Sequence, residues 1–215
     1  MPSSKQIISA DLRIHSSKTA LIVIDVQNDY CHGNGVFSKT KNVDLSHVQK
    51  AIAKLSSFIE GCRQADLPIV FVKTIHSDWT DSPSWRKRMA GAAEKMDICR
   101  SDTWGSEFYD VQPTVGDSIV IKHRYSAFVG TDLDLTLRSR GVETLLMTGV
   151  TTNVCVETTA RDGCNRNYDI ILVEDCCGAH DEAEHEATLN NIHKYFGKVA
   201  PARVIIEKLE KRSNL

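Results

Sequence analysis

A chain of 215 residues, 41% hydrophobic and 25% charged, suits one soluble domain around one sizeable core. Its formal net charge of -2, without a Lys/Arg cluster, excludes a general nucleic-acid binder, and no apolar run is long enough to span a bilayer. Seven cysteines, no CxxC pair at zinc-ligand spacing and a polar start unlike a signal peptide point to free thiols in a reducing, cytoplasmic compartment.

Residues 1–17 read as a loose arm that could dock on a partner subunit, ahead of one domain spanning 18–215. Thr19–Ile24 (TALIVI) is a branched apolar run, predicted as a buried parallel strand ending at Asp25. A long loop follows to Val43. Asp44 is placed to cap a helix whose buried face carries Leu45, Val48, Ile52, Leu55 and Ile59 at three- and four-residue spacing. Leu67-Pro68 ends that unit, and Ile69–Val72 is the second strand. Residues 75–117 hold Trp79, Trp85 and Trp104 amid much charge, and their length marks a functional loop with short helices. Ser118–Ile121 is the third strand, ending at Lys122. Thr131 opens a helix through Arg140, stopped by Gly141. Thr144–Met147 is the fourth strand, and Val154–Tyr168 a helix. Asp169–Val173 is the fifth strand, ending in Glu174-Asp175. Asp181–Phe196 is a helix stopped by Gly197, Lys198–Ala200 a short sixth strand, and Pro201 opens a last helix through Arg212. The alternation predicts a single-domain α/β fold, a parallel sheet with helices on both faces.

The chain is organised around Gly149-Val150-Thr151-Thr152-Asn153-Val154-Cys155, a tight turn between a buried strand and a helix. In the first helical turn, free amides and the helix dipole are expected to lower the Cys155 pKa and to bind a developing oxyanion. Ligands of open α/β sheets bind beyond the carboxyl ends of the strands, where Asp25, Lys122 and Cys155 all fall. A thiol needs a base, which a carboxylate supplies, and a nearby ammonium favours both anions. No G-x-S-x-G elbow, phosphate-binding loop or dinucleotide fingerprint is present.

The segments TALIVIDVQNDY, IVIKHRYSAF and TGVTTNVCVETTARD resemble the three motifs of the isochorismatase-like cysteine hydrolases, over about Thr19 to Ala200. The resemblance implies a Rossmann-like, three-layer fold with a six-stranded parallel sheet in the order 3-2-1-4-5-6. It implies Cys155 as nucleophile, Asp25 as base and later acid, Lys122 as third member, and backbone N–H groups of Thr151 and Cys155 as the oxyanion hole. It also implies a cis peptide before Thr151 and a homo-oligomer, dimer or tetramer. Lys122 would have to lean about 10 Å across two strand spacings. Tyr30, Tyr125, Ser126 and Phe128 follow the motifs closely and are candidates to line a pocket.

Nicotinamidases carry an Asp-x-His…His metal motif after the second strand. Here His76, Asp78 and Asp81 stand displaced, which favours a solvated loop over a metal site, and no metal or other cofactor is called for. Trp104-Gly105-Ser106-Glu107, Tyr125-Ser126-Ala127-Phe128 and Gly130-Thr131-Asp132-Leu133 look more like the carbamoylsarcosine, ureidoacrylate and biuret branch. The expectation is therefore a metal-independent cysteine amidohydrolase acting on a small linear amide or ureide. The alternatives are a nicotinamidase, a vinyl-ether hydrolase of isochorismatase type, and a silent interaction domain with this fold.

Overall fold

The computed structural model describes residue 12 and residues 14–41, 43–90 and 97–213. Six strands form one sheet: β1 (Thr19–Ile24), β2 (Ile69–Thr74), β3 (Ser118–Lys122), β4 (Thr144–Val150), β5 (Asp169–Gly178) and β6 (Lys198–Ala200). All neighbours are parallel, in the order β3-β2-β1-β4-β5-β6. The order reverses between β1 and β4, which leaves a crevice at their carboxyl ends.

Eight α-helices complete the described chain: α1 (Asn28–Cys31), α2 (Val36–Lys41), α3 (Ser46–Gln64), α4 (Pro83–Ala90), α5 (Leu133–Ser139), α6 (Glu157–Asn165), α7 (Glu182–Asn191) and α8 (Ala202–Ser213). Alternation along the buried strands divides the core in two. Leu21 and Val23 of β1 join α3 and α8 through Ile52, Leu55, Ile205 and Leu209. Ala20, Ile22 and Ile24 face α5, α6 and α7 through Leu133, Leu137, Ala160 and Leu189. Burying each such side chain is worth about 1.5–3 kcal/mol. Among the described residues, no helix is long and apolar enough to cross a membrane.

The strands run further than the apolar residues alone suggest. β5 continues through Glu174-Asp175 to Gly178, because a register shift opposite Met147–Gly149 absorbs the polar pair. Asp175 then binds Lys54 at 3.2 Å and accepts the Ala202 N–H at 2.8 Å, fixing the start of α8. The N-cap position of α3 is Leu45, one residue later than expected, and Asp44 takes the Ser46 N–H at 2.8 Å. Most of the arm lies outside the described residues, but Leu12 and Ile14 are buried with α3 and α8. The expected helix after Gly149 starts instead as a π-type turn, Thr152–Val156, before α6.

Candidate active site

Asp25 leaves β1 with φ 53°, in the left-handed region that aspartate tolerates better than most residues. Its N–H donates to Val72 O at 2.9 Å, so the end of β2 holds the bend. Lys122, fully buried at the end of β3, stands in register with Thr74 of β2. Its Nζ reaches across β2 and lies 2.8 Å from Asp25 Oδ2 and 3.4 Å from Cys155 Sγ, while donating to Thr74 Oγ1 at 2.8 Å and Arg124 O at 3.0 Å. Thr74 Oγ1 in turn donates to Asp25 Oδ1 at 3.0 Å. The stem of Lys122 thus spans the two strand spacings, with Thr74 as the stepping stone.

Gln27 fixes Thr74. Its Oε1 accepts the Thr74 N–H at 2.8 Å, and its Nε2 donates to Thr74 O and Ser106 O, each at 2.9 Å. Neither Thr74 nor Gln27 was anticipated, since the hydroxyl comes beside Lys122 only through the register of β2 with β3.

Cys155 lies in the π-type turn after β4 and is 6% exposed. The Val150–Thr151 peptide is cis, as the resemblance implies. Gly149 has φ 107°, and a Cβ there would run into the backbone of Ile24, so glycine is required. The thiol departs from expectation: burial pushes its pKa up, Lys122 opposes, and the Asp25 carboxylate raises it further. Desolvation outweighs the helix end because the anion would be buried. Burial also works against the charge on Lys122, but Asp25 and Cys155 overcome it and hold its pKa above the usual lysine value. The resting site therefore pairs a thiol with a carboxylate and an ammonium.

Tyr30 is buried beside the cluster, its pKa driven well up by burial and then by Cys99, Asp25 and Cys155. Tyr125 is raised by burial and then by Cys155, opposed by Arg88 and Lys122. Ser126 and Phe128 are also buried. Ser126 Oγ accepts the Phe128 N–H at 3.2 Å, and Phe128 stacks on Tyr168 beneath Arg166.

Asp78 and Trp79 of the His76 loop are exposed, as expected of a solvated loop, but His76 itself is buried. His76 Nδ1 meets Asp81 Oδ1 at 2.9 Å, both side chains nearly buried, and Arg100 holds Asp81 Oδ2 at 2.6 Å. Asp78 Oδ1 is held by Arg100 at 3.0 Å and Arg86 at 3.2 Å. Burial lowers the His76 pKa despite Asp81. Carboxylates already engaged by guanidinium groups do not fit a metal. The loop carries Trp85 of α4 onto Tyr125, ring centroids 4.9 Å apart, with Arg124 over the Trp85 ring at 4.8 Å. Arg88 lies one helical turn beyond Trp85. Sequence reasoning noted the tryptophans but not this roof.

A carboxylate, an ammonium and a thiol are gathered at the switch point of an all-parallel sheet. Residues 19–203 match the isochorismatase domain model. Ureidoacrylate amidohydrolase RutB of Methylobacterium radiotolerans is 34% identical over 203 residues, covering 88% of this chain and 78% of that protein. A cysteine hydrolase from Pseudomonas syringae pv. phaseolicola superposes with a TM-score of 0.83 at 28% identity, covering 97% of this chain and 99% of the other. The N-carbamoylsarcosine amidase of Thermoplasma acidophilum superposes with a TM-score of 0.70 at 31% identity, covering 86% and 96%. The chain belongs to the isochorismatase family.

Proposed function

We propose that this protein is a metal-independent cysteine amidohydrolase that cleaves a C–N bond of a small linear ureide through a thioester. The observation that carries the reading is the contact of Lys122 with both Asp25 and Cys155. Asp25 takes the thiol proton as Sγ attacks the carbonyl carbon. The oxyanion is held by the N–H groups of Thr151 and Cys155. Asp25 returns the proton to the departing nitrogen, and ammonia or an amine leaves. Asp25 then deprotonates a water, which attacks the thioester; the thiolate departs and recovers the proton. Lys122 stays charged throughout and stabilises whichever neighbour is anionic. The named relatives, one acting on ureidoacrylate and one on N-carbamoylsarcosine, support a ureide. The reading includes a cytoplasmic location, consistent with seven free cysteines, and a homo-oligomer.

Linear ureides are expected to be turned over faster than nicotinamide, because the His76 region holds ion pairs where a metal motif would be needed. Ammonia release from biuret, ureidoacrylate, N-carbamoylsarcosine and nicotinamide checks this. A preference for nicotinamide of about tenfold in kcat/KM, about 1.4 kcal/mol, overturns it. Arg88→Ala in the same screen tests the roof: it should raise KM about tenfold for the ureides bearing a carboxylate, the worth of about 1.4 kcal/mol, and spare uncharged biuret.

Exhaustive chelation is expected to leave turnover unchanged, since Asp78 and Asp81 already hold Arg86 and Arg100. Activity lost on chelation and restored by a divalent ion would contradict the reading.

A further inference from the structure

The turn that carries Cys155 is gripped from behind by α7. Thr152 Oγ1 lies 3.0 Å from His185 Nδ1, and both residues are buried. Asn153 Nδ2 donates to Glu184 Oε2 at 2.7 Å, and Thr188 Oγ1 donates to Glu157 Oε2 at 2.6 Å. Residues 184, 185 and 188 share one face of a helix, and they engage 153, 152 and 157 respectively. Of the three bonds, only that of His185 is wholly buried, and it acts on the residue directly after Thr151.

His185 is itself braced. Its ring meets the edge of His47 with centroids 4.8 Å apart and an interplanar angle of 68°. His47 Nδ1 accepts the Ala179 N–H at 3.2 Å, just past the end of β5. Gly178, the residue before, pairs with Val150 and lies so close to α3 that a Cβ would stand 2.8 Å from Val48 Cα. A cavity of about 320 Å³ borders the histidine pair on the side of Lys50, Lys54, Glu174 and Glu182. The pair therefore ties the start of α3, the end of β5 and α7 to a turn that emerges from β4.

We infer that His185 is a positioning residue for the reaction: through Thr152 it fixes the peptide that presents the Thr151 N–H to the developing oxyanion. The inference rests on the cysteine amidohydrolase reading above. Burial, and then His47, push the His185 pKa down to about 4, so the imidazole is neutral at working pH and Nδ1 can pair with a hydroxyl without bringing charge behind the oxyanion hole. Geometry of this kind matters disproportionately. A displacement of about 1 Å remote from the chemistry can lower a rate about 100-fold, and loss of one oxyanion donor costs about 10²–10³ in kcat. His185 touches neither Cys155 nor Lys122 in the contacts described, so its removal should spare the thiol and spoil only the turn.

The experiment compares His185→Leu, Thr152→Val, their double variant and His185→Asn in the full-length protein, with turnover of the best ureide from the screen. Each of the first two is expected to lower kcat at least about tenfold with KM within about twofold, since the interaction serves the transition state alone. Both remove the same bond, so the double variant should fall no further than the worse single variant. His185→Asn, whose Oδ1 can take the place of Nδ1, should recover most of the loss. Alkylation of Cys155 by iodoacetamide should keep its wild-type rate in all four. A kcat within twofold of wild type for Thr152→Val, multiplicative losses in the double variant, or a change in KM in place of kcat overturns the inference. Should His185→Leu fail to fold, Thr152→Val and His185→Asn decide the matter. Failure of the underlying reading is separately visible as turnover by Cys155→Ala.

Discussion

Cys155→Ala is expected to abolish turnover, and Asp25→Asn to lower kcat by about 10²–10⁴, the range of general acid–base groups. The first removes the sulfur that lies 3.4 Å from Lys122 Nζ, and no other described thiol or hydroxyl is assigned to attack. The second keeps the shape of the side chain but cannot accept a proton. That proton must be taken, because burial holds the resting cysteine as a thiol. In a site whose cysteine were already a thiolate, as at an exposed helix terminus, the carboxylate would be needed only for the leaving group and for water. Here it is needed at every step. Steady-state kinetics of the folded variants check this, and Asp25→Asn retaining more than about a tenth of wild-type kcat would defeat the mechanism.

Lys122→Met is expected to destabilise the fold by about 3–5 kcal/mol, the cost of leaving one partner of a buried ion pair uncompensated. The side chains of Lys122 and Asp25 are each 1% exposed, so water cannot replace the lost contact of 2.8 Å. At about 2–4 °C per kcal/mol for a chain of this size, the melting temperature should fall by about 6–20 °C. The double variant Asp25→Asn/Lys122→Met should recover most of that loss, because it leaves no buried charge behind, yet stay inactive. Calorimetry of the four proteins separates the two contributions. A double variant as unstable as Lys122→Met would show that the ion pair is not the source of the effect.

Much of the fold is legible in the residues. TALIVI is a strand at the very residues expected, and Lys198–Ala200 is a strand three residues long. The end of β5 was not legible, because two adjacent acids ordinarily mark a strand's exit and only the register shift against β4 accommodates them. Within the site, Asp25, Lys122 and Cys155 could be named from the ends of strands, but Thr74 could not, since its role depends on register across β2. The direction of the thiol pKa was misjudged for a similar reason: a helix end is a local feature, whereas desolvation depends on everything packed above it. Ser126 and Phe128, named from proximity in the chain, are buried, and Phe128 belongs to the same cluster as Cys155.

Gln27, Asn28 and Asp29 are three side chains by which the first motif holds the loop 75–117, Asn28 Nδ2 donating to Trp104 O at 2.8 Å. Gln27 joins Thr74 to Ser106, and Asp29 takes the Cys99 N–H at 2.7 Å and the Val36 N–H at 3.1 Å. All three lie on the segment after β1, so the roof hangs from the same stretch of chain that supplies Asp25. An excursion moored this way is a cassette. Its interior, with Trp85 and Arg88, is free to diverge or to be exchanged between relatives provided that these mooring points are kept, while the chemistry below stays the same. Changes of diet in such an enzyme can thus come from drift in one segment, and a designer seeking a new ureide would start by grafting that segment.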